Sequence, residues 1–280
     1  MVNIHEALQK AKKERQERRR ERSEDFIAAE PAAGEVESRS IEPIERESEL
    51  EPVSQIDPRV ISYFDPGSLA AEQFRSIRTA LAAMGDQPAK TLVITSAARG
   101  EGKTTITANL GVVLAGDLHQ RVLVIDGDLR KPSLARLLGV PSQPGLTEVL
   151  QGHVGGSFEE IEQEVIRPTE IERLDILPSG SSTFNPTELL GSKNMRDLLD
   201  MLKTHYSQIL IDSPPIVAVT DANVIGSLVD GTFVVVQAGK TRREVVNRAL
   251  SLLASGRNKV LGCILNGIEY HIPNYIYRYI

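Results

Sequence analysis

The 280-residue chain lacks tryptophan, has a single cysteine, and holds six Phe and six Tyr, so aromatic residues make up only 4% of it. One cysteine excludes a disulfide framework within the chain. That residue, Cys263, lies in the apolar run Val-Leu-Gly-Cys-Ile-Leu over 260–265, and the expectation is a buried, inert thiol in a reducing compartment. No apolar stretch approaches the roughly 18 residues needed to cross a bilayer, and no apolar leader follows Met1. The five histidines show no metal-ligand spacing. These absences predict a cytoplasmic protein that meets the inner face of a membrane only through a partner. A basic main body is missing too. The net charge of −6 divides into +4 over residues 1–22, −9 over 23–57 and −1 over the remainder. That balance argues against nucleic acid as a partner.

What is present is a regular alternation of element types. Apolar runs at 91–95, 121–126, 173–177, 207–212, 231–237 and 260–265 read as strands. Helical patterns at 103–116, 132–151 in pieces, 186–204, 221–229 and 242–256 separate most of them. Ser68 reads as the N-cap of a further helix that ends near Met84. Strands that are apolar throughout and alternate with helices predict an α/β domain over 59–268, with a mostly parallel central sheet and helices on both faces. Ligands of such sheets bind at the C-terminal ends of strands. Residues 1–22 read as a charged helical arm, either solvated or docked to a partner. Residues 23–58, rich in Glu, Pro and Ser, cannot bury enough surface to offset ordering entropy and read as an acidic disordered linker.

Residues 97–104 read Ala-Ala-Arg-Gly-Glu-Gly-Lys-Thr, between the first strand run and a helix with Ile106, Leu110, Val113 and Leu114 as its apolar stripe. A strand, a Gly-containing turn and a helix N-terminus together present N–H groups and a positive dipole end to an anion. Ala97 replaces the usual first Gly of a phosphate-binding loop. The expected nucleotide-binding residues are Ala98, Arg99, Gly100, Glu101, Gly102, Lys103, Thr104 and Thr105. Lys103 is suited to bridging β- and γ-phosphates, and the Thr104 hydroxyl to ligating Mg²⁺. The expected ligand is a nucleoside triphosphate.

Two later strands end in acids. One reads Val-Ile-Asp126-Gly-Asp128-Leu-Arg130-Lys131-Pro132, the other Ile-Leu-Ile-Asp212-Ser-Pro-Pro. A carboxylate at the end of such a strand, near a phosphate loop, is placed to hold Mg²⁺ directly or through water. Two carboxylates two residues apart can divide labour between the metal and the proton of an attacking hydroxyl. The competing reading makes Asp128 a cap or turn residue. Asn266 is open to two readings, base contact or turn residue before Gly267. Lys240, Arg242 and Arg243 are equally open between lining the pocket and starting a solvated helix.

Together the loop, the Asp126-Gly-Asp128 segment and the Asp212-Ser-Pro-Pro segment resemble the Walker A, A′ and B motifs of the bacterial tyrosine kinases, autokinases that control capsule and exopolysaccharide assembly. The resemblance covers residues 59–280. It implies ATP and Mg²⁺, with Lys103, Asp126, Asp128 and Asp212 as catalytic residues and Thr104, Asp128 and Asp212 around the metal. Asp126 and Asp128 would share metal positioning and activation of the tyrosine hydroxyl, with neither role assigned.

Two further segments take meaning from that resemblance. Glu72, Arg75 and Arg78 lie at helical spacing on one broad face. Alone this is a solvated pairing; in the family, Glu-x2-Arg-x2-Arg is the motif through which subunits pack into a ring. Four of the six tyrosines, Tyr270, Tyr275, Tyr277 and Tyr279, fall in the last eleven residues. Their alternation suits an edge strand, their terminal place a mobile tail, and the resemblance makes them phosphoacceptors reached in trans. The absence of a membrane hairpin ahead of the kinase region resembles the stand-alone form, which works with a membrane adaptor of the chain-length-determinant type and is opposed by a tyrosine phosphatase. The competing functions are a non-kinase ATPase switch of the partitioning or division-site type, and a nucleotide-binding scaffold without catalysis. The switch ATPases carry an extra Lys five residues before the main one, where this chain has Ala98.

Overall fold

The computed structural model describes residues 55–84, 89–118, 121–256 and 258–268. The charged arm, most of the acidic linker and the four C-terminal tyrosines lie outside the described residues.

Among the described residues, strands β1 (Thr91–Ser96), β2 (Val122–Asp126), β3 (Arg167–Pro168), β4 (Leu174–Leu177), β5 (Gln208–Asp212), β6 (Gly231–Gln237) and β7 (Val260–Asn266) form one sheet. Their order is β3-β4-β2-β5-β1-β6-β7. Every pairing is parallel except β3 with β4. The central strands β1, β2 and β5 are buried along their whole length, as their unbroken apolar runs require.

The period of two sorts their side chains between opposite faces. Ile94, Val124, Leu210 and Val235 join one core cluster, whereas Val93, Leu123, Ile125, Ile209 and Ile211 join another. On the first face lie α1 (Ile61–Phe64), α2 (Leu69–Ala82), α3 (Lys103–Leu118) and α4 (Leu134–Leu137). On the second lie α5 (Leu146–Leu150), α6 (Phe158–Glu164), α7 (Pro186–Leu190), α8 (Lys193–His205) and α9 (Asp221–Gly226). A smaller cluster packs Val234 and Val236 against Ala249 and Leu253 of α10 (Arg243–Ser255).

The expected strands all form, within a residue or so at each end. Ser68 does cap α2: its hydroxyl accepts from the Ala71 N–H at 3.2 Å. The expected 186–204 helix is two, because Gly191 ends α7 and Ser192 starts α8 by accepting from the Met195 N–H. The short strand β3 and the helix α6 had no strong periodic signal.

Two expectations are corrected. Ordered packing starts ahead of Arg59, since Ile56 is 3% exposed in the core and the Asp57 N–H donates to the Leu137 carbonyl at 2.9 Å. Asn109 of α3 anchors this entry: its Oδ1 accepts from the Ser62 N–H and its Nδ2 donates to the Arg59 carbonyl. Cys263 is exposed rather than buried. It lies on β7, an edge strand of mixed burial. A strand at the sheet edge has a neighbouring strand on one side only, which leaves its side chains less completely covered than those of the central strands.

Candidate active site

The strand order brings the expected motifs together. β5 sits between β2 and β1, so the phosphate loop after β1, Asp126 at the end of β2 and Asp212 at the end of β5 share one sheet edge. Asp126 and Asp212 are direct partners in the β2–β5 register. This is the C-terminal edge of the parallel strands, where open α/β sheets hold their ligands.

The loop runs from Ala97 into α3. Gly100 and Gly102 have φ of 81° and 90°, a backbone region that costs little only for glycine. A Cβ on Gly102 would also collide with the side-chain amide of Asn266. Lys103 opens α3, and its ammonium reaches three groups: Asp128 Oδ2 at 3.1 Å, both Asp212 oxygens at 3.5 Å and Thr104 Oγ1 at 3.2 Å. The Thr104 hydroxyl donates to Asp212 Oδ2 at 2.7 Å. Lys103, Thr104, Asp128 and Asp212 thus converge, as their motifs predict.

Asp126 and Asp128 are tied differently. Asp126 Oδ2 accepts from the Ser133 and Leu134 N–H groups at 3.0 and 2.9 Å, and its Oδ1 accepts from the Asp128 N–H at 3.3 Å. Asp126, not Asp128, therefore holds the start of α4, while the turn role weighed for Asp128 is observed between Asp128 and Lys131. Asp128 Oδ1 accepts from the Lys131 N–H at 3.0 Å, while its Oδ2 faces Lys103.

Burial dominates the electrostatics. It pushes Asp126 up to about 7, reinforced by the charge of Asp212. Burial also pushes Asp212 up to about 6, against the opposing pull of Lys103 and the Thr104 hydroxyl. Burial draws the Lys103 ammonium downward, but Asp212 and Asp128 outweigh it and hold its pKa above the usual value.

Beside this cluster opens a pocket of about 190 Å³. Lys103, Asp128, Arg99 and Gly100 line one part of it, and Pro214, Pro215, Ala218 and Val219 the apolar part. Thr95 fixes that wall by donating to the Pro214 carbonyl at 2.9 Å. Arg130 and Lys131 complete the lining. Arg130 donates through Nε to the buried Asp221 at 2.6 Å and through Nη2 to Thr187 Oγ1 at 3.0 Å, fixing the segment after Asp128 to α9 and α7. Sequence reasoning assigned Arg130 no role, although its place two residues after Asp128 put it in the same loop.

Other expected residues lie elsewhere. Ala98 gives its N–H to the Glu101 carboxylate, and Glu101 is buried behind the loop rather than in the pocket. Thr105 is half-buried on α3 and gives its carbonyl to Asn109. Asn266 donates to the Glu101 carbonyl at 2.8 Å. Lys240, Arg242 and Arg243 are exposed and do not line the pocket. Glu72 and Arg75 pair within α2 at 2.6 Å, and Arg75 also donates to the Pro66 carbonyl. Arg78, on the same helix, is half-buried.

The AAA domain family matches residues 89–254. Tyrosine-protein kinase YwqD of Bacillus subtilis is 41% identical over 76% of this chain and 88% of its own length. The chimerical protein CapA2B2 superposes with a TM-score of 0.71 at 33% identity, over 78% of this chain and 93% of that one. The kinase domain of Escherichia coli tyrosine kinase ETK gives a TM-score of 0.71 at 31% identity, over 77% and 82% of the two chains. With Lys103 of the phosphate loop and Asp128 already lining one pocket, and Asp212 joined to that lysine behind it, these likenesses make the chain a P-loop protein of the bacterial tyrosine-protein kinase family, an enzyme that transfers phosphate from ATP to protein tyrosine.

Proposed function

We propose that this kinase acts on itself, phosphorylating Tyr270, Tyr275, Tyr277 and Tyr279 of a neighbouring copy. The observation that carries the reading is the convergence of Lys103, Thr104, Asp128 and Asp212 beside a pocket with one apolar wall. In the reaction the phenol oxygen bonds to the γ-phosphorus of ATP, the bond to the β–γ bridging oxygen breaks, and ADP leaves. Asp128 takes the phenolic proton, because it lines the pocket and its Oδ2 is held only by the Lys103 ammonium, which moves to the phosphates, whereas both oxygens of Asp126 are held by backbone N–H groups. Lys103 moves from its carboxylate partners to the β- and γ-phosphate oxygens. Pro214, Pro215, Ala218 and Val219 offer the acceptor ring an apolar surface that excludes water.

Thr104 and Asp212, joined by a hydrogen bond, supply hard oxygen donors that fit Mg²⁺, with Asp128 beside them as the base. Among the described residues no group of three or more His, Cys, Asp or Glu forms a metal cage. Mg²⁺ is commonly held by one or two carboxylates together with substrate phosphates and water. When bound, Mg²⁺ neutralises charge on the phosphate oxygens.

Glu72, Arg75 and Arg78 form the contact through which copies assemble into a ring. Each phosphotyrosine adds nearly two negative charges, so a modified cluster repels itself and loosens the assembly. A tyrosine phosphatase reverses the change. A membrane adaptor of the chain-length-determinant type brings the kinase to capsule or exopolysaccharide synthesis and export; no described helix is long and apolar enough to cross a membrane.

The test is incubation with Mg²⁺ and ATP followed by an anti-phosphotyrosine blot. Wild type gives a strong signal, and Lys103→Met gives none. Changing all four tail tyrosines to Phe leaves ATP binding intact and removes nearly all phosphotyrosine. Persistence of the signal in that variant overturns the assignment of the acceptors.

A further inference from the structure

Glu101 is a carboxylate inside a phosphate-binding loop, where a negative charge opposes the polyanion that the loop receives. It is nonetheless 2% exposed and outside the pocket lining. Both of its carboxylate oxygens and its backbone carbonyl are occupied. Its Oε2 accepts from the Ala98 N–H at 2.6 Å, closing the loop on itself. Its Oε1 accepts from the Gln237 N–H at 3.3 Å and from the Thr241 hydroxyl. Its backbone carbonyl accepts from Asn266 Nδ2 at 2.8 Å. Asn266 is itself fixed, since its Oδ1 accepts from the Gly267 N–H and its carbonyl from the Ala238 N–H. One residue therefore ties the loop to the end of β6, to the turn before α10 and to the end of β7.

We propose that Glu101 is a positioning residue for phosphoryl transfer, presetting the phosphate loop by bracing it to Thr241 and Gln237 and, through Asn266, to β7. The inference rests on the phosphate-loop reading of residues 97–104, and it deepens that reading. The flanking Gly100 and Gly102 both occupy positive φ, so the stretch around Glu101 has the greatest backbone freedom to lose. A loop held in shape beforehand spares ATP binding the entropy of ordering it. A carboxylate suits the task because it is acceptor-only and can take donors on both oxygens at once. Glutamine cannot: whichever way its amide is turned, its nitrogen would face a backbone N–H, that of Ala98 or that of Gln237.

The test measures the Kd for Mg²⁺-ATP, the KM for ATP, kcat at saturating ATP and the melting temperature on the full chain. Glu101→Gln separates two opposite signs. Removing a negative charge beside a polyanion, by itself, tightens ATP binding. Loss of the brace weakens it instead, by about tenfold for one charge-assisted hydrogen bond. The cost appears in KM and Kd, while kcat at saturation stays within about twofold because bound ATP restores the loop. Thr241→Val weakens ATP in the same direction, Thr241→Ser recovers wild-type affinity, and the double variant is no weaker than Glu101→Gln by more than about twofold. ATP binding by Glu101→Gln that equals or exceeds wild type overturns the proposal. So does a weakening that merely follows the folded fraction and adds in full to that of Thr241→Val. Should Glu101→Gln fail to fold, the contrast between Thr241→Val and Thr241→Ser decides alone: equal affinities overturn the brace. Because ATP binding is read apart from phosphotransfer, a failure of the autokinase assignment does not imitate a failure of this one.

Discussion

Asp212 shows how a single side chain carries both a cost and a function. It is fully buried, shares the sheet edge with Asp126, and is balanced by only one ammonium. A carboxyl whose folded pKa is raised contributes its full stability below the unfolded value of about 3.9, and loses that contribution as pH rises through the folded value. For Asp212 the window closes at about 6 and for Asp126 at about 7. Nucleotide-free Asp212→Asn therefore gains melting temperature relative to wild type between pH 4 and pH 8 (expected values on the order of a few degrees for each kcal/mol). Thermal melts of both proteins across that range check it; a difference that stays constant with pH rules out a costly buried ionisation. The same substitution removes the Thr104 partner and lowers phosphotransfer.

Elements here are set by close approach as much as by propensity. Gly111 lies in α3, where Ala would ordinarily gain about 1 kcal/mol of helix propensity. A Cβ at that position would meet Val124 Cγ1 at 2.9 Å and Leu174 Cδ1 at 3.2 Å. Both contacts belong to strands, which yield less than a flexible surface chain, and overpacking costs about 1–3 kcal/mol. Gly111→Ala is expected to destabilise by about 1 kcal/mol net, a fall of roughly 2–4 °C in melting temperature. At the other end of the scale, Ser68→Ala leaves the Ala71 N–H without its capping oxygen and costs about 1 kcal/mol, readable by denaturant titration. The brace at Glu101 is likewise a property of element ends: β6, β7 and the loop before α3 meet there, though they lie far apart along the chain.

Assembly is a property of the whole molecule. If α2 supplies the contact between copies, Arg75→Ala and Arg78→Ala shift the unphosphorylated protein to monomer in sedimentation. The loss of Arg75 also frees Glu72 and the Pro66 carbonyl within the same subunit. An exposed helical pair of this kind is worth only about 0.2–1 kcal/mol inside the subunit, so the melting temperature of the monomer barely moves. An assembly that survives both changes removes α2 from the interface.

The strands and most helices were legible in the sequence because parallel strands buried on both faces must be apolar throughout, and Ser68 had a cap's chemistry. The phosphate loop, Lys103, Thr104 and the acids at 126, 128 and 212 were legible because each motif places its residues within one local turn. Tertiary structure alone decided what depends on neighbours distant in sequence. It exposed Cys263 on β7 at the sheet edge, drew Ile56 into the core beside the Asp57–Leu137 hydrogen bond, and turned the Asn266 amide onto the Glu101 carbonyl and the Glu101 carboxylate onto Gln237 and Thr241. It also gave Asp126 the cap and Asp128 the pocket. The physical reason is that hydrogen bonds and burial are satisfied in space, whereas a sequence fixes only the order in which their partners arrive.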